Sequence, residues 1–168
     1  MDYAKILEQW ARIQPDKPCL VEEGRTLTYG RMAALARAYG KKLEGLGIPR
    51  QTVLIVRQEP ADQLAAFLGA EQAGWVPVLG HPDLSPEGAE KLARVRQIGW
   101  IDDGTLRPGC GDAPVPAPEW CMGVLSSGST GLPKLMFRTW ESWGDFFPEQ
   151  DRKFQVDRDT LGFAEGSM

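Results

Sequence analysis

The feature that most constrains the fold is an alternation of short apolar runs with amphipathic segments between residues 52 and 101. TVLIVRQ (52–58) holds consecutive β-branched and apolar residues, the pattern of a strand buried on both faces. Pro60 opens a helical stretch through ADQLAAFLGAEQAG, and WVPVL (75–79) reads as the next strand. Ser85-Pro86-Glu87 places a capping serine before a proline at the first helical position, starting a helix that runs to about Gln97. IGWI (98–101) is a short third strand. This rhythm implies βαβ units with right-handed crossovers, and so a three-layer α/β fold whose mostly parallel sheet is flanked by helices. Pro77 has no amide hydrogen to give a ladder, which predicts an edge or a bulge for 75–79.

Upstream, Ile6, Leu7, Trp10 and Ile13 recur at spacings of three and four, predicting an amphipathic helix over the first 14 residues that Pro15 and Pro18 end. CLVEEGRTLTY predicts two short strands joined at Glu23-Gly24. Thr28 is placed to cap a helix whose apolar face runs Met32, Leu35, Ala36, Tyr39, Leu43 and Leu46, with Gly47 closing it. Residues 102–119, rich in proline and glycine and without periodicity, predict a loop or linker inside one domain spanning 1–168.

Composition fits a globular chain and narrows its partners. Of 168 residues, 42% are hydrophobic and 25% charged, and 19 basic against 23 acidic residues leave a net charge of −4. An acidic balance argues against a nucleic-acid footprint. No apolar run reaches the roughly 18 residues that suggest a membrane span. The N-terminus lacks a basic-then-apolar leader pattern, and three cysteines (Cys19, Cys110, Cys121) form no CxxC pair. A reducing, cytoplasmic setting is the expectation.

The chemistry-bearing stretch is CMGVLSSGSTGLPKLMF, residues 121–137. An apolar strand runs into Ser126, Ser127, Gly128, Ser129, Thr130 and Gly131, followed by Leu132-Pro133-Lys134 and a second apolar strand. Gly128 and Gly131 permit backbone conformations that turn amide hydrogens toward an anion, and the hydroxyls add short donors. Lys134 supplies a mobile positive charge suited to phosphate, and Pro133 fixes the backbone before it. A Walker loop is excluded, because there the lysine directly follows the second glycine and a hydroxyl residue comes next.

SSGSTGLPK resembles the phosphate-loop signature of the adenylate-forming superfamily, which includes acyl- and aryl-CoA synthetases, peptide-synthetase adenylation domains and luciferases. GRTLTYGRMAALARAYGKKLEGLGI resembles that family's early strand-helix segment, and QLAAFLGAEQAGWVPVL its next helix-strand unit. The resemblance covers roughly residues 15–140. It implies adenylation of a carboxylate by ATP with Mg²⁺, followed by transfer of the acyl group to a thiol, either CoA or a carrier protein. By position it makes Ser126, Ser127, Gly128, Ser129, Thr130, Gly131 and Lys134 the ATP-phosphate contacts. Leu135 stands where the family usually has glycine, and Trp140 where a histidine usually follows.

Family members are several times longer. Their aromatic-Gly-x-Thr-Glu segment, ribose-binding aspartate, hinge and C-terminal-domain lysine have no counterpart in these 168 residues. The resemblance therefore implies an incomplete N-terminal domain, inactive alone and prone to self-association through apolar surface. A non-catalytic binding or assembly module, or half of a split enzyme, is the competing expectation. Among other residues, His81 reads as a surface-loop position and Asp102-Asp103 as turn carboxylates that point apart. Lys41, Lys42, Arg94 and Arg96 read as solvated helix charges, and the cysteines as small buried hydrophobes. Trp140, Trp143, Phe146 and Phe147 read as one buried helix face.

Overall fold

A computed structural model describes residues 2–22, 24–126, 131–157, 159–160 and 162. Helix α1 (Tyr3–Ile13) leads to an antiparallel hairpin of β1 (Pro18–Glu22) and β2 (Arg25–Thr28), then to helix α2 (Tyr29–Glu44). The alternating section follows as β3 (Thr52–Ile55), α3 (Pro60–Gln72), β4 (Val76–Leu79), α4 (Pro86–Arg96) and β5 (Trp100–Asp102). The described chain closes with β6 (Leu106–Pro108), β7 (Trp120–Ser126), β8 (Lys134–Thr139), α5 (Trp140–Gly144) and α6 (Phe147–Phe154). Among the described residues, six strands form one sheet in the order β6-β5-β3-β4-β7-β8. β3, β4, β5 and β7 run parallel, and β6 and β8 are antiparallel edges.

Local chemistry sets the helix starts. Asp2 accepts from the Lys5 amide, Thr28 from Arg31 and Ser85 from Gly88, so each side-chain oxygen satisfies an amide that the first turn leaves unpaired. Pro60 and Pro86 sit at the start of α3 and α4, where a missing amide hydrogen costs nothing. α2 ends at Glu44, earlier than the Gly47 signal, and Gly47 turns the chain afterwards with φ +63°.

Two apolar clusters flank the sheet, and alternation along β3 divides them. Val53 and Ile55 point into a cluster with Met32, Ala36, Leu43, Ala66 and Ala70 from α2 and α3. Leu54 and Val56 point the other way, to Ala89, Leu92 and Ala93 of α4. Since successive strand residues face opposite sides, helices cover both faces and the three-layer α/β arrangement follows.

Several expectations are corrected. β4 is a central strand although Pro77 lies inside it. The Val76 amide donates to Gln51 and the Gly80 amide to Ile55, so even-numbered amides face β3. Pro77 faces β7, where the recorded pairing is the single Val78–Gly123 match, and no β3 ladder bond is lost. The 102–119 stretch contains β6, paired antiparallel with β5, and its end is tied down by Arg50, which donates to the carbonyls of Pro118 and Trp120. The aromatic residues after Thr139 do not form one buried face. Trp140 and Phe147 pack edge-on against Tyr3 at 4.9 and 6.2 Å, but the chain breaks between α5 and α6, and Phe146 is 57% exposed.

Asp102 is likewise no open turn carboxylate. It is fully buried and accepts from Arg57 at 2.6 and 2.7 Å, while its neighbour Asp103 pairs outward with Arg107 at 2.7 Å. His81 is exposed, as expected of a surface loop, and the three cysteines are unpaired, with Cys121 buried and the other two half-buried.

Candidate functional site

Because β3, β4, β5 and β7 are parallel, their carboxyl ends share one edge of the sheet. β3 leads to α3 on one face and on to neighbouring β4, whereas β4 leads to α4 on the opposite face and back past β3 to β5. The chain thus switches face between the carboxyl ends of β3 and β4, the location where open α/β sheets form ligand crevices. β7 lies beside β4, and its last residue, Ser126, reaches the same edge.

At that edge Ser126 ends β7 directly opposite Lys134, the first residue of β8. Ser126 is half-buried and Lys134 exposed. Gly131 adopts φ +104°, a conformation side-chain-bearing residues rarely take, with open space where a Cβ would lie. Ser126 and Lys134 therefore stand across from each other at the open end of the β7–β8 ladder, with Gly131 three residues before Lys134 in the chain. Ser127, Gly128, Ser129 and Thr130 lie outside the described residues.

The stems of this hairpin rest on the apolar cluster that α4 shares with β3, β4 and β5. Leu125 and Leu135 face each other across the ladder and both pack against the cluster containing Leu92. Arg96, the last residue of α4, donates from Nε to the Pro133 carbonyl at 2.7 Å and from a terminal nitrogen to the Leu132 carbonyl at 3.4 Å. It is not a solvated helix charge. No local pattern could have shown this, since the acceptors are backbone atoms more than thirty residues away.

A second polar region lies between α1 and α3, where an open cleft of about 440 Å³ is bordered by Asp2, Lys5, Glu8, Arg12, Glu71 and Gln72. Glu8 accepts from Arg37 of α2 at 2.7 and 2.9 Å and from Gln72 of α3 at 3.0 Å, so it ties three helices together. Beneath it, burial pushes the Glu71 carboxyl up to about 9; the negative charge of Asp2 adds to this, and the Ala4 amide opposes it. Burial also raises Cys121 to about 11 and Tyr3 to about 12, with Glu71 contributing to both. These groups belong to the packing seam that docks α1. A thiol held protonated in this way is no nucleophile at neutral pH.

The family model for AMP-binding enzymes matches residues 7–99, more than half of the chain. The chain belongs to the AMP-binding enzyme family. The matched span runs from within α1 to just past the end of α4 and stops before the serine-rich loop. Among curated relatives, VraA of Staphylococcus epidermidis, assigned by name to the long chain fatty acid-CoA ligases, is 25% identical over 167 residues. That alignment covers 94% of this chain and 36% of VraA. The chain thus spans about a third of that relative's length.

Solved structures share the fold. The nonribosomal peptide synthetase FmoA3 superposes with a TM-score of 0.73 at 22% identity, over 93% of this chain and 19% of FmoA3. O-succinylbenzoate CoA synthetase from Bacillus subtilis, in complex with AMP, superposes with a TM-score of 0.68 at 18% identity, over 90% of this chain and 46% of its own. No helix among the described residues is long and apolar enough to cross a membrane.

Proposed function

We propose that this chain is the ATP-gripping N-terminal part of an acid–thiol ligase of the acyl- or aryl-CoA synthetase type. The observation that carries the reading is the hairpin at the carboxyl edge, where Ser126 and Lys134 face each other beside a Gly131 held at φ +104°. In the complete reaction a carboxylate oxygen attacks the α-phosphorus of ATP, the bond to pyrophosphate breaks, and an acyl-adenylate forms. The sulfur of CoA or of a carrier protein then takes the acyl group and releases AMP. The part assigned to this chain is electrostatic. Ser126, Ser127, Gly128, Ser129, Thr130, Gly131 and Lys134 present hydroxyls, amide hydrogens and one ammonium to the phosphates as charge moves onto the leaving pyrophosphate.

The residues at the hairpin suit a phosphate, with a cation and a hydroxyl at an open edge. Among the described residues no group of three or more His, Cys, Asp and Glu side chains could hold a metal ion. Mg²⁺ enters the proposal as the companion of ATP, bound through the phosphate oxygens.

The test uses the 168-residue chain labelled with ¹⁵N and titrated with Mg·ATP. Amide shifts are expected to concentrate in residues 126–134 and at the ends of β3 and β4. Shifts confined to the α1–α3 cleft, or none, would contradict the reading. The same material is expected to catalyse no carboxylate-dependent ATP–pyrophosphate exchange, because the family's adenine, ribose and lysine elements have no counterpart among these residues. Measurable exchange would show that other residues of this chain replace them.

A further inference from the structure

We infer that Arg96 is a positioning residue for the phosphate loop, holding its exit so that Lys134 meets the phosphates; this rests on the reading of that loop as the ATP-phosphate grip. Arg96 stands at the very end of α4, immediately before Gln97 takes a left-handed conformation and the chain turns toward β5. Its guanidinium is partly buried and spends two donors on consecutive backbone carbonyls, Pro133 at 2.7 Å and Leu132 at 3.4 Å. Those carbonyls directly precede Lys134. Pro133 already fixes its own φ, and a planar guanidinium bonded to the peptides on either side of its Cα removes much of the remaining freedom.

The apolar half of the clamp is the cluster that α4 shares with β3, β4 and β5. Leu92 belongs to the cluster against which Leu125 and Leu135 pack, and those two residues are paired across the stems. The hairpin is therefore anchored twice, through leucines packed on that shared cluster below the mouth and through Arg96 at the mouth. A plain β-hairpin at a sheet edge needs no such second anchor, because its own ladder sets the register. What the ladder leaves open is the path between Gly131 and Lys134, where Gly131 is exposed and has no Cβ to limit it. Arg96 acts on that path. Neighbouring Arg94 is exposed on the same helix and supplies a control of equal charge change.

The experiment compares wild type, Arg96→Met, Arg96→Lys and Arg94→Met in the 168-residue chain. It reads hydrogen exchange of the amides in 131–136 and the ratio of Mg·ATP to AMP affinity. Arg96→Met is expected to exchange faster in 131–136 and to lose about tenfold in the ATP-to-AMP ratio, as fits the loss of a charge-assisted hydrogen bond. Arg96→Lys should recover part of both, and Arg94→Met should match wild type. Unchanged exchange in Arg96→Met, or an ATP-to-AMP ratio equal to that of a wild type that does prefer ATP, would overturn the role of Arg96 alone. A wild type with no preference for ATP over AMP would overturn the phosphate-loop reading and the inference with it. Circular dichroism melts of all four proteins separate these outcomes from unfolding: an Arg96→Met chain that loses its fold shows faster exchange in every strand, which would assign Arg96 to global stability and refute the local role.

Discussion

Gly69→Ala is expected to destabilise the chain by about 3 kcal/mol and to lower its melting temperature by about 10 °C, although alanine is the better helix former. Gly69 lies on α3 where it crosses α2. A methyl group there would fall on the Ala36 carbonyl oxygen, 2.8 Å from the Tyr39 Cβ and 3.0 Å from the Gly40 nitrogen. Two of these atoms are backbone, so no rotamer change relieves the contact. Gly40 answers from the other helix, since a Cβ on it would sit 3.0 Å from the Gly69 carbonyl oxygen. The two helices can approach this closely only because neither carries a side chain at the crossing, and the cluster beneath them, with Met32, Ala36 and Ala66, depends on that approach. Gly111→Ala is the matched control, because nothing lies within 4 Å of its Cβ position and its effect should be within about 0.5 kcal/mol. Thermal melts of the two variants check the argument, and equal melting temperatures would refute it.

Glu71→Gln should do the opposite and stabilise the chain, increasingly so as pH rises. Burial raises the Glu71 carboxyl from 4.5 to about 9, so the folded chain keeps a proton that the unfolded chain releases above pH 4.5. Between those values the unfolded state binds fewer protons than the native state, and stability falls as pH rises, by at most about 1.4 kcal/mol per pH unit. Glutamine has the same shape and no charge to bury. At pH 5 the two proteins should differ by less than about 1 kcal/mol, and at pH 8 the variant should be more stable by a few kcal/mol, about 2–5 after allowing for the partial exposure of the group. The negative charge of Asp2 makes ionisation of the Glu71 carboxyl still less favourable. Parallel melting curves from pH 5 to pH 8 would show that Glu71 ionises freely in the folded chain.

What was legible in the sequence was local. Thr28, Ser85, Pro60 and Pro86 mark helix starts because capping is settled within four residues, and the structure places each where its chemistry requires. The alternation of 52–101 was legible because strands covered on both faces must be apolar throughout. The misreadings each involve a distant partner. Pro77 sits in a central strand because its missing amide faces a sparsely paired neighbour, a fact of strand order. Asp102 can be buried because Arg57, forty-five residues earlier and just past the end of the adjacent strand, pairs with it. Arg96 holds a loop that follows it by thirty-six residues. Glu71 is an ordinary polar letter on α3 until α1 closes over it. At the site itself, Ser126 pairs with Lys134 across the ladder, while Ser127, Gly128, Ser129 and Thr130 lie outside the described residues.

The central claim is that this hairpin grips the phosphates of ATP, and Lys134 tests it most directly. Isothermal titration of the 168-residue chain with Mg·ATP and with AMP, in wild type and Lys134→Ala, compares a ligand carrying all three phosphates with one lacking the terminal two. The account predicts that wild type prefers Mg·ATP and that Lys134→Ala loses about tenfold or more of that preference, with AMP affinity unchanged. Equal affinities for the two nucleotides in wild type, or a preference for ATP that survives Lys134→Ala intact, would contradict it.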